Sequence, residues 1–198
     1  MNSTETLPQT RREQLKAQRR QQLLAAGARL IADRGFLGMR LDDLGAAAGI
    51  SGPAVYRHFP NKEALLVELL VGISQRLLDG GKAVASGTDS PAAALDALID
   101  FHLDFALGEP ELIRIQDRDL ENLPESARRQ VRRTQRQYVE VWVAVLRDLH
   151  PDLPEATARV QAHATFGLIN STPHSAPAAP ATRARPVLRR MAMAALSD

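Results

Sequence analysis

The stretch from Leu41 to Lys62 constrains this chain more than any other. Leu41, Leu44, Ala47 and Ala48 repeat at helical spacing and are expected to form the buried face of a helix. Gly49 follows, where a helix ends in a residue of positive φ, a conformation glycine adopts at little cost. Ile50 points into the corner. Ser51 stands where a side-chain oxygen can accept from the free N–H groups of a second helix. Pro53 falls in that helix's first turn, where its missing N–H is no loss. Phe59 before Pro60 stops it, because the residue before proline avoids the α region. Asn61 then caps a third start. Two short helices joined by a tight glycine corner are a helix-turn-helix.

The rest of the chain reads as helix. Aromatic residues are 4% of 198 residues, and no sustained period-2 run of β-branched residues occurs. The fold class is all-α. There is no cysteine, which excludes disulfides and thiolate chemistry. No apolar run reaches membrane-spanning length and the N-terminus is polar, so the expected location is cytoplasmic. Net charge is +2, unevenly spread. Residues 1–60 carry nine Lys/Arg against five Asp/Glu, a balance of +4 that leaves −2 for the remainder. A basic end on a slightly acidic body suits a polyanionic partner on one side.

Residues 1–12 read as a disordered tail. A first helix starts near Glu13, buries Leu23, Gly27, Leu30 and Ile31, and ends near Arg34-Gly35, with Phe36 plugging a small core. Asn61 caps a fourth helix that carries Leu65, Leu69, Ile73 and Leu77 and ends at Gly80-Gly81 or soon after. Further helices are expected near 91–107, 110–121, 124–149, 153–171 and 183–196. A D-x-x-E capping box, Asp152 and Glu155, opens the eighth. Thr182 caps the ninth.

Gly35-Phe36, Asp43-Leu44-Gly45, Ala48-Gly49-Ile50-Ser51, Tyr56, His58-Phe59 and Lys62-Glu63 resemble the TetR family of bacterial transcriptional regulators. The pattern spans roughly residues 17–63; beyond it only helix count and spacing agree. The resemblance implies a nine-helix homodimer without a cofactor. A disordered tail, 1–12, precedes a DNA-binding unit, 13–62. An effector-binding and dimerisation unit, 63–198, follows. Effector binding would tilt the fourth helix and separate the two DNA-binding units. The chain departs from the family at the second helix, where Met39-Arg40-Leu41 offer no good cap.

The recognition helix, Gly52 to His58, exposes Gly52, Pro53, Ala54, Arg57 and His58. Arg57 is the best base reader, since a guanidinium grips guanine O6 and N7 together. Gly52, Pro53 and Ala54 permit close approach and a thymine-methyl contact. Arg40 is a further DNA contact, to phosphate or base. By resemblance Tyr56, His58 and Lys62 touch phosphates; packed, capping and solvated roles are the alternatives for Tyr56 and His58, and an ordinary surface charge for Arg57. In the body, His102, Tyr138 and Trp142 interrupt apolar stripes. With Phe105, Ile113, His163, Phe166 and Asn170 they are expected to line a small-molecule pocket, the alternative being plain core packing. Arg128, Arg129, Arg132, Arg133 and Arg136 form a basic face. Its ordinary meaning is a solvated surface; the sharper one is a seat for an anionic ligand such as an acyl-CoA. No histidine pair has metal-ligand spacing and no nucleophile motif occurs, so an enzyme is not expected.

Overall fold

The computed structural model describes residues 11–175 and 180–196. Among them every regular element is helical. The order is α1 Arg11–Gly38, α2 Leu41–Ala48, α3 Gly52–Tyr56, α4 Lys62–Ser86, α5 Pro91–Gly108, α6 Pro110–Asp119, α7 Glu125–Leu149 and α8 Glu155–Asn170, then a single turn α9, Thr172–Ser175, and α10 Ala181–Leu196. The nine expected helices are α1–α8 and α10.

Local chemistry explains most boundaries. Gly35 breaks α1 at φ 78°, ψ 156°, a combination only glycine visits readily. Gly49 closes α2 at φ 64°. The Asn61 side chain accepts from Ala64 N at 2.8 Å, and Ser90 Oγ from Ala93 N at 3.2 Å, capping α4 and α5.

Several expectations are corrected. Helix α1 includes Arg11 and Arg12, which the sequence placed in the tail; residues 1–10 lie outside the described set. Ser51 makes no side-chain cap; its carbonyl accepts from Ala54 N and Val55 N instead. Ala47 is exposed rather than buried. Helix α3 ends at Tyr56, two residues short of His58. Helix α8 starts from Pro154 without a side-chain cap, so Asp152 and Glu155 form no capping box; Glu155 pairs with Arg159 at 2.7 Å. Thr182 lies inside α10, and Pro186 is deeper than one turn from its start.

The largest difference is α4, which passes through Gly80-Gly81 to Ser86. A Cβ at Gly81 would sit 2.4 Å from the Tyr138 ring, and one at Gly80 2.3 Å from the Phe101 ring. These glycines are contact points for two rings, and tertiary packing overrides their low helix propensity.

Two apolar clusters share the long helices. One joins α1–α3 and the first half of α4 to Leu112, Ile115, Leu123, Ala127 and Val131. Leu44, Val55 and Phe59 are fully buried in it, each stabilising by about 1.5–3 kcal/mol. The other fills the body between α5, α7, α8 and α10. Helix α4 contributes to both.

Candidate nucleic-acid interface and ligand cavity

Helix α2 starts at Arg40 with no side-chain cap; Asp42 and Asp43 supply negative charge in its first turn. Both acids also bind outward: Asp43 pairs with Arg34 at 2.9 Å, and Asp42 accepts from the Tyr56 hydroxyl at 3.4 Å. Tyr56 is nonetheless 48% exposed. Pro53 is exposed, and Gly52 and Ala54 half-buried, on the outer side of α3. Arg40 and Arg57 are exposed, and no hydrogen bond or ion pair among the described residues ties either guanidinium. His58 is half-buried, with a buried Nδ1 that has no partner there. Burial, and then the charges of Arg20, Lys16, Arg57 and Arg19, hold its pKa below the usual imidazole value. Arg12, Lys16, Arg57 and His58 line one groove, so α1 adds its basic end to the face of α3.

Lys62 turns the other way. Its Nζ donates to the carbonyls of Phe36 (3.0 Å), Leu37 (3.2 Å) and Met39 (3.4 Å) and lies 4.7 Å from the centre of the Phe36 ring. It closes the carbonyls left open beyond the Gly35 break.

In the body, His102 is 3% exposed and carries the central polar contacts. Its Nε2 lies 3.1 Å from Asn170 Oδ1 and its Nδ1 3.3 Å from the Tyr138 hydroxyl. The amide oxygen only accepts, so Nε2 bears the proton and Nδ1 accepts from the phenol. Burial pushes the His102 pKa down to about 4, and also raises that of Tyr138. Rings of Phe105, Tyr138 and Phe166 lie 5.7, 5.8 and 4.8 Å from the imidazole centre.

These side chains line a cavity of about 210 Å³ that opens toward solvent beside the exposed His163. Seven of the residues expected to line a pocket do so: His102, Phe105, Ile113, Tyr138, His163, Phe166 and Asn170. Trp142 is the correction. It is fully buried behind the wall, edge-on to Phe166 at 5.0 Å. Ser74 and Leu77 from α4, Gln116 from α6, and Gln135 and Val139 from α7 complete the lining. The two glutamines were hidden in the sequence because both fall on the polar edges of amphipathic helices.

Residues 23–69 match the family described as bacterial regulatory proteins, tetR family, and residues 88–174 match the tetracyclin repressor-like C-terminal domain. The chain belongs to the TetR family. It is 31% identical over 133 residues to the HTH-type transcriptional repressor KstR2 of Rhodococcus jostii. That match spans 66% of this chain and 65% of the relative, just under two thirds of its length. Among solved structures of TetR fold, that of the ketosteroid transcriptional regulator KstR2 of Mycobacterium tuberculosis superposes with a TM-score of 0.76. It shares 24% identity and covers 90% of this chain and 93% of its own. AibR, solved in complex with isovaleryl coenzyme A and operator DNA, gives 0.71 at 19% identity, over 87% and 97%. At these identities the structural likeness is one of fold.

Two further surfaces of this TetR-family chain bear on function. On α7, Arg128 and Arg132 pair with Glu121 at 2.6 Å each, and Arg128 and Arg129 reach Glu125. That part of the basic face is neutralised by local acids. On α8 and α10, Val160 (67% exposed), Met191 (47%) and Val187 (44%) face outward beside exposed Ala156, Ala164 and Gly167.

Helix α6 supplies a contact the sequence did not announce. Asp119, 3% exposed, accepts from Phe36 N at 3.2 Å. Arg118 donates to the carbonyls of Ile31 and Ala32 and to Asp119. The pair clamps the end of α1 onto the helix that bears Ile113 and Gln116 of the cavity.

Proposed function

We propose that this chain is a sequence-specific DNA-binding transcriptional regulator, a repressor that leaves its operator when a small molecule fills the cavity. The observation that carries the reading is the match over residues 23–69, which span the corner presenting Arg40 and Arg57. Arg57 reads a base edge, and Arg40 reads a base or grips a phosphate. Gly52, Pro53 and Ala54 let the backbone approach. Ser51, Tyr56 and His58 lie along the phosphates with the basic end of α1. Lys62 supports the corner from behind.

Residues 13–62 form the DNA-reading unit and 63–198 the effector and dimerisation unit. The functional species is a homodimer, joined through the small and apolar outward faces of α8 and α10. A dimer places two short recognition helices on half-sites about 34 Å apart. Family membership argues for regulation rather than catalysis, and a DNA partner argues for a cytoplasmic location. No helix among the described residues is long and apolar enough to cross a membrane.

Occupancy of the cavity bears directly on α4 through Ser74 and Leu77 and on α6 through Ile113 and Gln116. Helix α4 roots the DNA-reading unit; α6 holds α1. A regulator without an effector is the alternative, and the lined cavity counts against it.

Operator affinity measured against salt tests the reading. With about 6–8 phosphates neutralised per dimer, log K falls against log[salt] with a slope of about −5 to −7. A slope near zero would remove the DNA reading.

A further inference from the structure

The effector cavity is small and carries no fixed charge. About 210 Å³ is below the roughly 300–1,000 Å³ of drug-sized sites. An apolar protein cavity of about 150 Å³ holds benzene, so this one takes a single ring with a short substituent. None of its lining residues is Asp, Glu, Lys or Arg. His163, exposed on α8, lies within electrostatic reach of the Glu140 carboxylate, which is itself held by Arg159.

The polar groups have a defined sense. His102 donates to Asn170 and accepts from Tyr138, so both imidazole nitrogens are used within the protein. That network does not use the Asn170 amide N–H₂. Gln116 and Gln135 add two primary amides. Such a wall satisfies a carbonyl or hydroxyl oxygen, while a carboxylate buried there would lack a counter-charge. The rings of Phe105 and Phe166 and the side chains of Leu77, Ile113 and Val139 supply the apolar surface.

We propose that the effector is a small uncharged cyclic molecule, one ring bearing a hydrogen-bonding oxygen, held between Phe105, Phe166 and the Asn170–His102–Tyr138 network. The proposal rests on reading the cavity as the effector site. It assigns no role in binding to the arginines of α7.

The chain reports occupancy itself, because Trp142 is its one tryptophan and packs against the cavity wall. Its fluorescence is followed on titrating the full chain with 4-hydroxyacetophenone, cyclohexanone and toluene, then with benzoate and isovaleryl-CoA. The same titrations are run on Gln135→Phe, which fills the cavity from a half-buried position, and on Asn170→Leu. The expected result is that 4-hydroxyacetophenone and cyclohexanone bind at least about tenfold tighter than benzoate. Binding is abolished in Gln135→Phe, and Asn170→Leu removes the advantage of the ketones over toluene while retaining toluene. Benzoate or the thioester binding as tightly as the ketones, with no binding in Gln135→Phe, overturns the uncharged assignment and leaves the cavity as the effector site. Binding unchanged by Gln135→Phe overturns the cavity reading itself. No response to any uncharged probe through millimolar concentration overturns the proposal.

Discussion

His102 is buried in the body, and burial favours its neutral form. Burial lowers its pKa from 6.5 to about 4. Between those values the unfolded chain binds a proton that the folded chain refuses, so stability falls as pH falls. The contribution is complete above about 6.5 and lost on descending toward 4, and amounts to roughly 3 kcal/mol at about 1.4 kcal/mol per pH unit. Urea unfolding of the wild type and of His102→Gln across pH 7.5 to 4 checks this. The wild type steepens relative to the variant; parallel curves would mean the imidazole is not desolvated. Gly81 makes a steric prediction. An added Cβ meets the Tyr138 ring at 2.4 Å, so Gly81→Ala destabilises by about 1–3 kcal/mol through overpacking, despite alanine's better helix propensity. Thermal unfolding measures it, and a rise in Tm would show that the ring yields freely.

The ends of the elements show what sequence can and cannot display. Asn61, Gly49 and the break at Arg34-Gly35 were legible because each device acts within four residues of itself. The passage of α4 through Gly80-Gly81 was not, because the reason is a ring from α5 and another from α7. The Arg118–Asp119 clamp was hidden for the same reason, as its partners lie on α1. In the cavity, polar interruptions of apolar stripes marked His102 and Tyr138. They also marked Trp142, which only packs behind the wall; a stripe gives a face, not a depth. Lys62 is where motif and geometry separate. The motif places it on a phosphate, whereas its ammonium lies on three carbonyls at the α1–α2 corner. Lys62→Met keeps the stem and removes the charge. It should lower stability by about 1–3 kcal/mol and weaken cognate and scrambled DNA alike while leaving the salt slope unchanged. A salt slope shallower by about one per phosphate that Lys62 neutralises would return this residue to the DNA backbone.

At the scale of the molecule, the cavity and the helix-turn-helix corner share α4 and are bridged a second time by α6. Helix α4 carries Leu65–Leu70 in the N-terminal core and Ser74 and Leu77 at the cavity. Helix α6 carries Ile113 and Gln116 at the cavity and Arg118 and Asp119 on α1. Under the proposed function, a ligand that moves either helix moves the corner that presents Arg57. Whether that corner reads sequence is decided by selecting bound duplexes from a random DNA pool with the wild type and with Arg57→Ala. The wild type should enrich an inverted repeat bound by two copies of the chain. Arg57→Ala should lose about 1–3 kcal/mol on that repeat and little on scrambled DNA. No enriched sequence, or equal losses on both DNAs, would contradict sequence-specific reading through Arg57.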